Sequence, residues 1–136
     1  MGSTTPALDA VRLSLHVLAA TIWVGGQFTL AGLVGTARRL GPEAPKALAG
    51  AFARLSWPAY AVLVLTGLWN IAATHPSTQS GLWQAVLGVK VGVVALAGLA
   101  AWAHSRSRHP RGTAAWGALS GLSSLAALVL GVVLAG

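Results

Sequence analysis

One lysine and four histidines are the side chains of this chain most able to bind a ligand or move a proton. Lys90 lies in the apolar stretch VLGVKVGVVALAGLAAWAH, residues 86–104, in which only His104 can also ionise. A lysine at the centre of a membrane helix costs about 2.5–3.5 kcal/mol on insertion scales, so such a residue usually faces protein or a water-filled cavity. The alternative is that Lys90, about 12 Å in from Leu82, extends its ammonium group to the lipid headgroups.

A second set of polar side chains has a similar predicted depth. His16 lies in the first apolar run, Asn70 lies near the end of the second, and His75 follows in a connection without Lys or Arg. Together with Lys90 they are candidates for one site, and imidazole suits copper, so His16 and His75 could form a two-nitrogen copper site. The alternatives are helix-to-helix hydrogen bonds for His16 and Asn70 and an ordinary loop position for His75.

Residue types exclude several kinds of site. The chain has no Cys and its only Met is Met1, which excludes a sulfur-lined copper path. Asp9 and Glu43 are the only acids, and both lie outside the predicted spans, so neither a catalytic triad nor a proton pump built on buried carboxylates is supported. His104 and His109 lie beside arginines and are predicted to face the headgroups.

The composition is that of a membrane protein. Of 136 residues, 55% are hydrophobic and 8% charged, with a mean hydropathy of +0.71, whereas about 25% of the residues of a soluble domain are charged. The net charge of +7 does not indicate nucleic-acid binding, because the basic residues form two short clusters between apolar runs. That arrangement is typical of membrane topology.

Apolar runs of about 20 residues predict an all-α integral membrane four-helix bundle in a single domain. The predicted spans are residues 11–35, 57–74, 82–103 and 113–135. Pro58 fits the first turn of the second span, where its missing N–H costs nothing. An interfacial helix is predicted before it, at residues 45–55.

The basic residues predict the orientation. Eight of the nine Lys and Arg residues are expected outside the membrane or at its edge. Arg12 lies at the outer edge of the first span, and seven lie in the first and third connections: Arg38, Arg39, Lys46, Arg54, Arg106, Arg108 and Arg111. The positive-inside rule places these connections in the cytoplasm, so both termini are expected to be extracytoplasmic in a multi-pass protein of the inner (plasma) membrane.

The third predicted span has two distinct faces. Residues seven apart share a helical face, which groups Lys90 with Trp83, Ala97 and His104. A stripe of small residues that includes Gly88 and Gly92 lies roughly opposite. Small stripes let helix backbones approach closely, so a homodimer through these two glycines is plausible.

Three short patterns resemble a known family. They are LHxxAxxxWxGG from Leu15, the segments ARLS and LTGLWN at residues 53–56 and 65–70, and the series Leu87, Lys90, Val94 and Trp102. Together, over residues 12–108, they resemble the CopD-type copper resistance membrane domain and, more distantly, the HemJ-type protoporphyrinogen oxidases.

The resemblance implies an inner-membrane helical bundle that serves copper uptake or tolerance, or haem-assisted oxidation of a porphyrinogen. His16, Arg54 and Lys90 match positions that these families emphasise. Two departures are TQSGLW, where CopD-type domains often have TxYG, and Val89 with Lys90, where HemJ-type sequences have a histidine-lysine pair.

These observations predict a polar pocket in the outer leaflet. His16, Lys90, Asn70 and Arg54 are the expected ligand-binding residues, and His16 with His75 the expected copper ligands. Copper transport or tolerance is the expected role. The alternatives are a haem b protein in which Lys90 meets a propionate, and a non-catalytic membrane subunit.

Overall fold

Helices account for nearly the whole chain. In the computed structural model, which describes residues 5–136, the fold is all-α and these residues form no strand. The α-helices are α1 (Ala7–Ala20), α2 (Gly26–Leu40), α3 (Ala44–Thr74), α4 (Gly81–Arg106) and α5 (Pro110–Ala135), with a π-helical segment, Thr21–Gly25, that joins α1 to α2 and a short 3₁₀ turn at Pro76–Thr78.

Four continuous helices are long and apolar enough to cross a bilayer, which makes the chain a multi-pass membrane protein. They have 34, 31, 26 and 26 residues, or about 51, 46, 39 and 39 Å at 1.5 Å per residue. The hydrocarbon core is about 30 Å thick, so each helix extends past it. The helix that comprises α1, the π-helical segment and α2 extends furthest.

The chain divides into two compact units, and the boundary between them lies between His75 and Pro76. In the first hairpin, α1, the π-helical segment and α2 pack against α3; in the second hairpin, α4 packs against α5. Their assembly into one bundle stays a prediction.

The turn of the first hairpin depends on a glycine. Gly41, which follows α2, has φ 148°, a conformation that residues with a Cβ rarely adopt. Pro45 then lies in the first turn of α3, where its missing N–H needs no partner.

The predicted helix boundary at Pro58 is wrong. The sequence predicts an interfacial helix at residues 45–55 and a separate span from residue 57, but α3 runs without a break from Ala44 to Thr74 with Pro58 inside it. Proline removes one hydrogen bond, the bond to the carbonyl of Arg54. On either side of Pro58, α3 packs against the long helix that contains α1 and α2.

The π-helical segment interrupts the long helix of the first hairpin. Side chains bond the carbonyls around it: Thr21 Oγ1 donates to Val17 O at 2.8 Å, Gln27 Nε2 to Trp23 O at 3.1 Å and Thr29 Oγ1 to Gly25 O at 2.8 Å. A π turn disturbs the regular backbone ladder, and such turns are frequent at functional sites.

The second hairpin begins at a helix cap and is joined by contacts along its length. Ser80 Oγ accepts a hydrogen bond from Trp83 N at 3.2 Å, which satisfies one of the free amides at the start of α4. Further along α4, Ala97 O accepts from Ser120 Oγ at 3.1 Å, and the buried Ser124 lies one turn on.

Candidate functional site

A hydrogen bond across the first hairpin holds His16. Its Nδ1 is 2.8 Å from Thr66 Oγ1, and Thr66 Oγ1 is also 2.7 Å from Val62 O. Thr66 has a single hydroxyl proton, which helical threonines commonly donate to the carbonyl four residues back. The hydroxyl oxygen therefore accepts from Nδ1–H of His16. With this donor assignment the lone pair is on Nε2, the nitrogen through which such an imidazole binds a metal.

The register of α1 against α3 follows from three contact levels. A Cβ at Gly26 would lie 2.3 Å from Phe52 Cε2, the Trp23 ring is 4.5 Å from the Tyr60 ring, and His16 meets Thr66. The long helix from α1 to α2 runs antiparallel to α3. A residue earlier in the long helix therefore contacts a residue later in α3.

The same register brings Arg12 and Asn70 to one level. Arg12 is four residues before His16, and Asn70 is four residues after Thr66. Both therefore lie one helical turn nearer the end of the hairpin where α1 begins and α3 ends. Arg12 is 8% exposed, and its Nη2 is 3.0 Å from Asp9 Oδ1. The buried atoms Arg12 Nε and Asn70 Oδ1 have no hydrogen-bond partner in the described part of the chain.

Sequence reasoning missed the role of Arg12, because Arg12 was expected at the membrane boundary. The available signal was helical spacing, since Asp9, Arg12 and His16 are three and four residues apart and share one face of α1.

An aromatic cluster lies deeper in the first hairpin, at the π-helical segment. Trp23, 3% exposed, has its ring 5.5 Å from that of Trp57 and 4.5 Å from that of Tyr60. This cluster could not be predicted from the sequence, because a π turn shifts the helical register and its position cannot be read from residue spacing.

Two residues of the predicted site lie at other levels of α3. Arg54 is exposed and precedes Thr66 by twelve residues, about 18 Å along the helix, and His75 follows Thr66 by nine, about 13 Å. His75 has φ 48° and ψ 70° at the end of α3, directly before Pro76. The structure thus brings Asn70, but not Arg54 or His75, close to the level of His16.

Lys90 lies against the neighbouring helix of its own hairpin. A Cβ at Gly131 would be 3.0 Å from Lys90 Nζ, so the side chain crosses α5 where α5 has no side chain. Lys90 thus contacts α5 and is partly exposed, and whether it faces protein or the headgroups in a membrane stays a prediction. His16 and Lys90 belong to different hairpins, and their common pocket stays a prediction.

The predicted polar face of the third span packs on α5. Trp83 Nε1 donates to Leu134 O at 3.3 Å, and His104 Nδ1 is 2.7 Å from Thr113 O. The expectation that His104 faces the headgroups is therefore wrong, because its ring is held between two helices. Gly88 and Gly92 have open space around them and point away from α5.

The donors available for a metal are few. The described residues contain no group of three or more His, Asp or Glu side chains that could hold a metal ion. A groove lined by Leu13, Ser14, Val17, Leu18 and Thr21 lies on the face of α1 opposite His16. The hydrogen-bonded imidazole of His16 is thus the best prepared ligand in the first hairpin.

Comparisons with models of protein families, with curated proteins and with solved structures find no match to this chain.

Proposed function

We propose that this chain is a multi-pass protein of the plasma membrane that binds a haem b through Nε2 of His16. The observation that carries the proposal is the hydrogen bond of 2.8 Å between His16 Nδ1 and Thr66 Oγ1. It orients the ring and leaves the lone pair on the other nitrogen, as second-shell partners do for metal-binding histidines.

The number of donors favours haem over a bare copper ion. A haem brings four nitrogen ligands with it, and a single histidine suffices as its protein ligand, as in globins. Copper needs further donors from the protein, and the level of His75 on α3 is about 13 Å from that of Thr66. When bound, haem would supply one-electron redox chemistry, while the protein sets the orientation and surroundings of the iron ligand.

Other residues have proposed roles toward the same group. Asn70, one helical turn from the level of Thr66, is a polar group for the haem edge. A carboxylate such as a propionate pairs with an ammonium group, and that role of Lys90 stays a prediction. Arg54 is assigned to the cytoplasmic side of α3, where a cation meets anionic headgroups.

Copper handling of the CopD type is the second candidate. It is favoured by the LHxxAxxxWxGG pattern that contains His16. In this form two copies would each contribute one imidazole, and the exposed Gly88 and Gly92 offer a contact for such a homodimer. The orientation proposed for either form has both termini outside the cytoplasm.

A visible spectrum of the purified full-length protein tests the proposal. After expression with a haem precursor we expect a Soret band, lost in His16→Ala and retained in the matched control His109→Ala. If the band is absent and His16-dependent copper is retained instead, the copper form replaces the haem form. If neither ligand is retained, the metal proposal is wrong and the chain is a non-catalytic membrane subunit.

A further inference from the structure

The level of Arg12 and Asn70 in the first hairpin contains two buried polar atoms of opposite kind. Arg12 Nε is a hydrogen-bond donor and Asn70 Oδ1 an acceptor, and each lacks a partner among the described residues. His16 contacts Thr66. Arg12 precedes His16 by four residues and Asn70 follows Thr66 by four, so on these antiparallel helices both are one turn from that contact, on the same side of it.

An unpaired buried polar atom is costly. Leaving one unsatisfied costs about 1–3 kcal/mol, and most buried polar groups in proteins have a protein or water partner. Two such atoms at one level of one helix pair are therefore suited to share one hydrogen-bonding partner.

Charge and hydrogen-bond type together select the chemistry of that group. The guanidinium of Arg12 is already balanced by Asp9, at 3.0 Å. A carboxylate accepts hydrogen bonds but cannot donate to Asn70 Oδ1, and it would add a second negative charge beside Asp9. An ammonium group donates but cannot accept from Arg12, and it would lie against a cation. A hydroxyl oxygen is neutral and both accepts and donates.

We propose that Arg12 and Asn70 hold one hydroxyl oxygen between α1 and α3, which accepts from Arg12 Nε–H and donates to Asn70 Oδ1. Two sources have this chemistry: an ordered water, and the hydroxyl group of a membrane-soluble phenol or alcohol. The proposal does not depend on haem or copper, because neither residue is needed as a metal ligand.

A double-mutant cycle in the full-length protein tests the coupling. Arg12→Lys keeps the charge opposite Asp9 but removes Nε–H, and Asn70→Leu removes the acceptor. Each is expected to lower the folded-to-unfolded ratio about five- to thirtyfold. The double variant should lose no more than the larger single loss, since either change releases the same oxygen. Gln84→Leu, an exposed amide on α4, is the control and should be additive with Arg12→Lys. Additivity of Arg12→Lys with Asn70→Leu overturns the proposal.

An experimental structure of the unmodified protein in lipid distinguishes the source. A density within about 3.2 Å of both atoms is expected. An isolated peak identifies water; a ring, with thermal stabilisation by 4-octylphenol that is lost in Asn70→Leu, identifies a phenol. Both results support the site. An empty gap, or a direct hydrogen bond between Arg12 and Asn70, overturns it.

Discussion

Lys90 and Gly131 are in contact in the second hairpin: a Cβ at Gly131 would lie only 3.0 Å from Lys90 Nζ. A larger residue on α5 would push the lysine aside, so the glycine makes room for a charged group inside an apolar helix pair. Within residues 76–136, Lys90 makes no hydrogen bond or ion pair. Its ammonium group therefore lies against α5 without a compensating partner in its hairpin.

Replacing this lysine should stabilise the protein. Lys90→Leu is expected to raise the free energy of unfolding by about 1–3 kcal/mol, because a charge in an apolar helix is costly. A residue that is kept despite such a cost to stability indicates function. Helix loss in SDS titrations, followed by circular dichroism, measures the change, with the exposed neighbour Val89→Leu as control. A less stable Lys90→Leu protein would mean that the ammonium group stabilises the fold.

Gly117, a second glycine on α5, lies against the imidazole ring of His104, which a hydrogen bond holds in place. A Cβ at Gly117 would lie 2.9 Å from His104 Nδ1, which is bound to Thr113 O. Gly117→Ala should therefore destabilise the second hairpin by about 1–3 kcal/mol through overpacking. Gly121→Ala, whose Cβ would meet nothing within 4 Å, should be neutral or stabilising.

Removal of the His104 ring tests whether steric overlap with it causes the instability of Gly117→Ala. Adding His104→Ala to Gly117→Ala removes the ring that is displaced, so the double variant should be no less stable than His104→Ala alone. Urea or SDS unfolding of all four proteins gives the comparison. Equal losses in Gly117→Ala and Gly121→Ala would refute the steric account.

The sequence predicts the helices well and their contacts only in part. Long apolar runs define the four membrane helices because length and apolarity alone allow a span. Seven-residue spacing also places Lys90 and His104 on one face of α4, and that face packs on α5. Spacing cannot show which helix a face meets, and His104 was expected at the headgroups because it lies beside arginines.

Pro58 and Trp23 show a different limit. A proline in the first turn and a proline inside a helix leave similar sequence signals, and only packing on both sides of Pro58 decides that α3 continues. The π turn around Trp23 likewise depends on how its carbonyls are bonded by Thr21, Gln27 and Thr29. The burial of polar atoms such as Arg12 Nε arises where two segments pack and is invisible in the sequence of either one.

Two adjacent glycines in the first hairpin should respond differently to a methyl group. At Gly26 a Cβ would be 2.3 Å from Phe52 Cε2, whereas at Gly25 nothing lies within 4 Å. Gly26→Ala should cost about 1–3 kcal/mol, and Phe52→Leu should relieve part of the cost. Gly25→Ala is the matched control. Thermal unfolding in detergent measures the stability of each variant, and an unaffected Gly26→Ala protein would contradict the close approach of α2 and α3.

Removal of the Thr66 hydroxyl should release the imidazole of His16. Thr66→Val keeps the shape of the side chain and deletes the partner of Nδ1, at an expected cost of about 0.6–2 kcal/mol, the range for hydrogen bonds between membrane helices. Thr29→Val is the control, since its hydroxyl bonds only within its own helix. ¹⁵N NMR of selectively labelled protein should report protonated Nδ1 in the unmodified protein and a mixture of tautomers in Thr66→Val. A ring protonated mainly at Nε2 in the unmodified protein would reverse the donor assignment.

The orientation of the chain can be measured directly because the chain contains no cysteine to remove. Ser77→Cys introduces a thiol in the turn between α3 and α4, and Arg108→Cys introduces one in the basic connection between α4 and α5; both positions are exposed. Three arginines in the third connection, between α4 and α5, favour its retention in the cytoplasm, since K/R bias sets orientation. A membrane-impermeant maleimide applied to intact cells should therefore label Ser77→Cys and spare Arg108→Cys, and both should react once the membrane is permeabilised. The reverse pattern would place His16, Arg12 and Asn70 toward the cytoplasm, so that any ligand of these residues would enter from inside the cell.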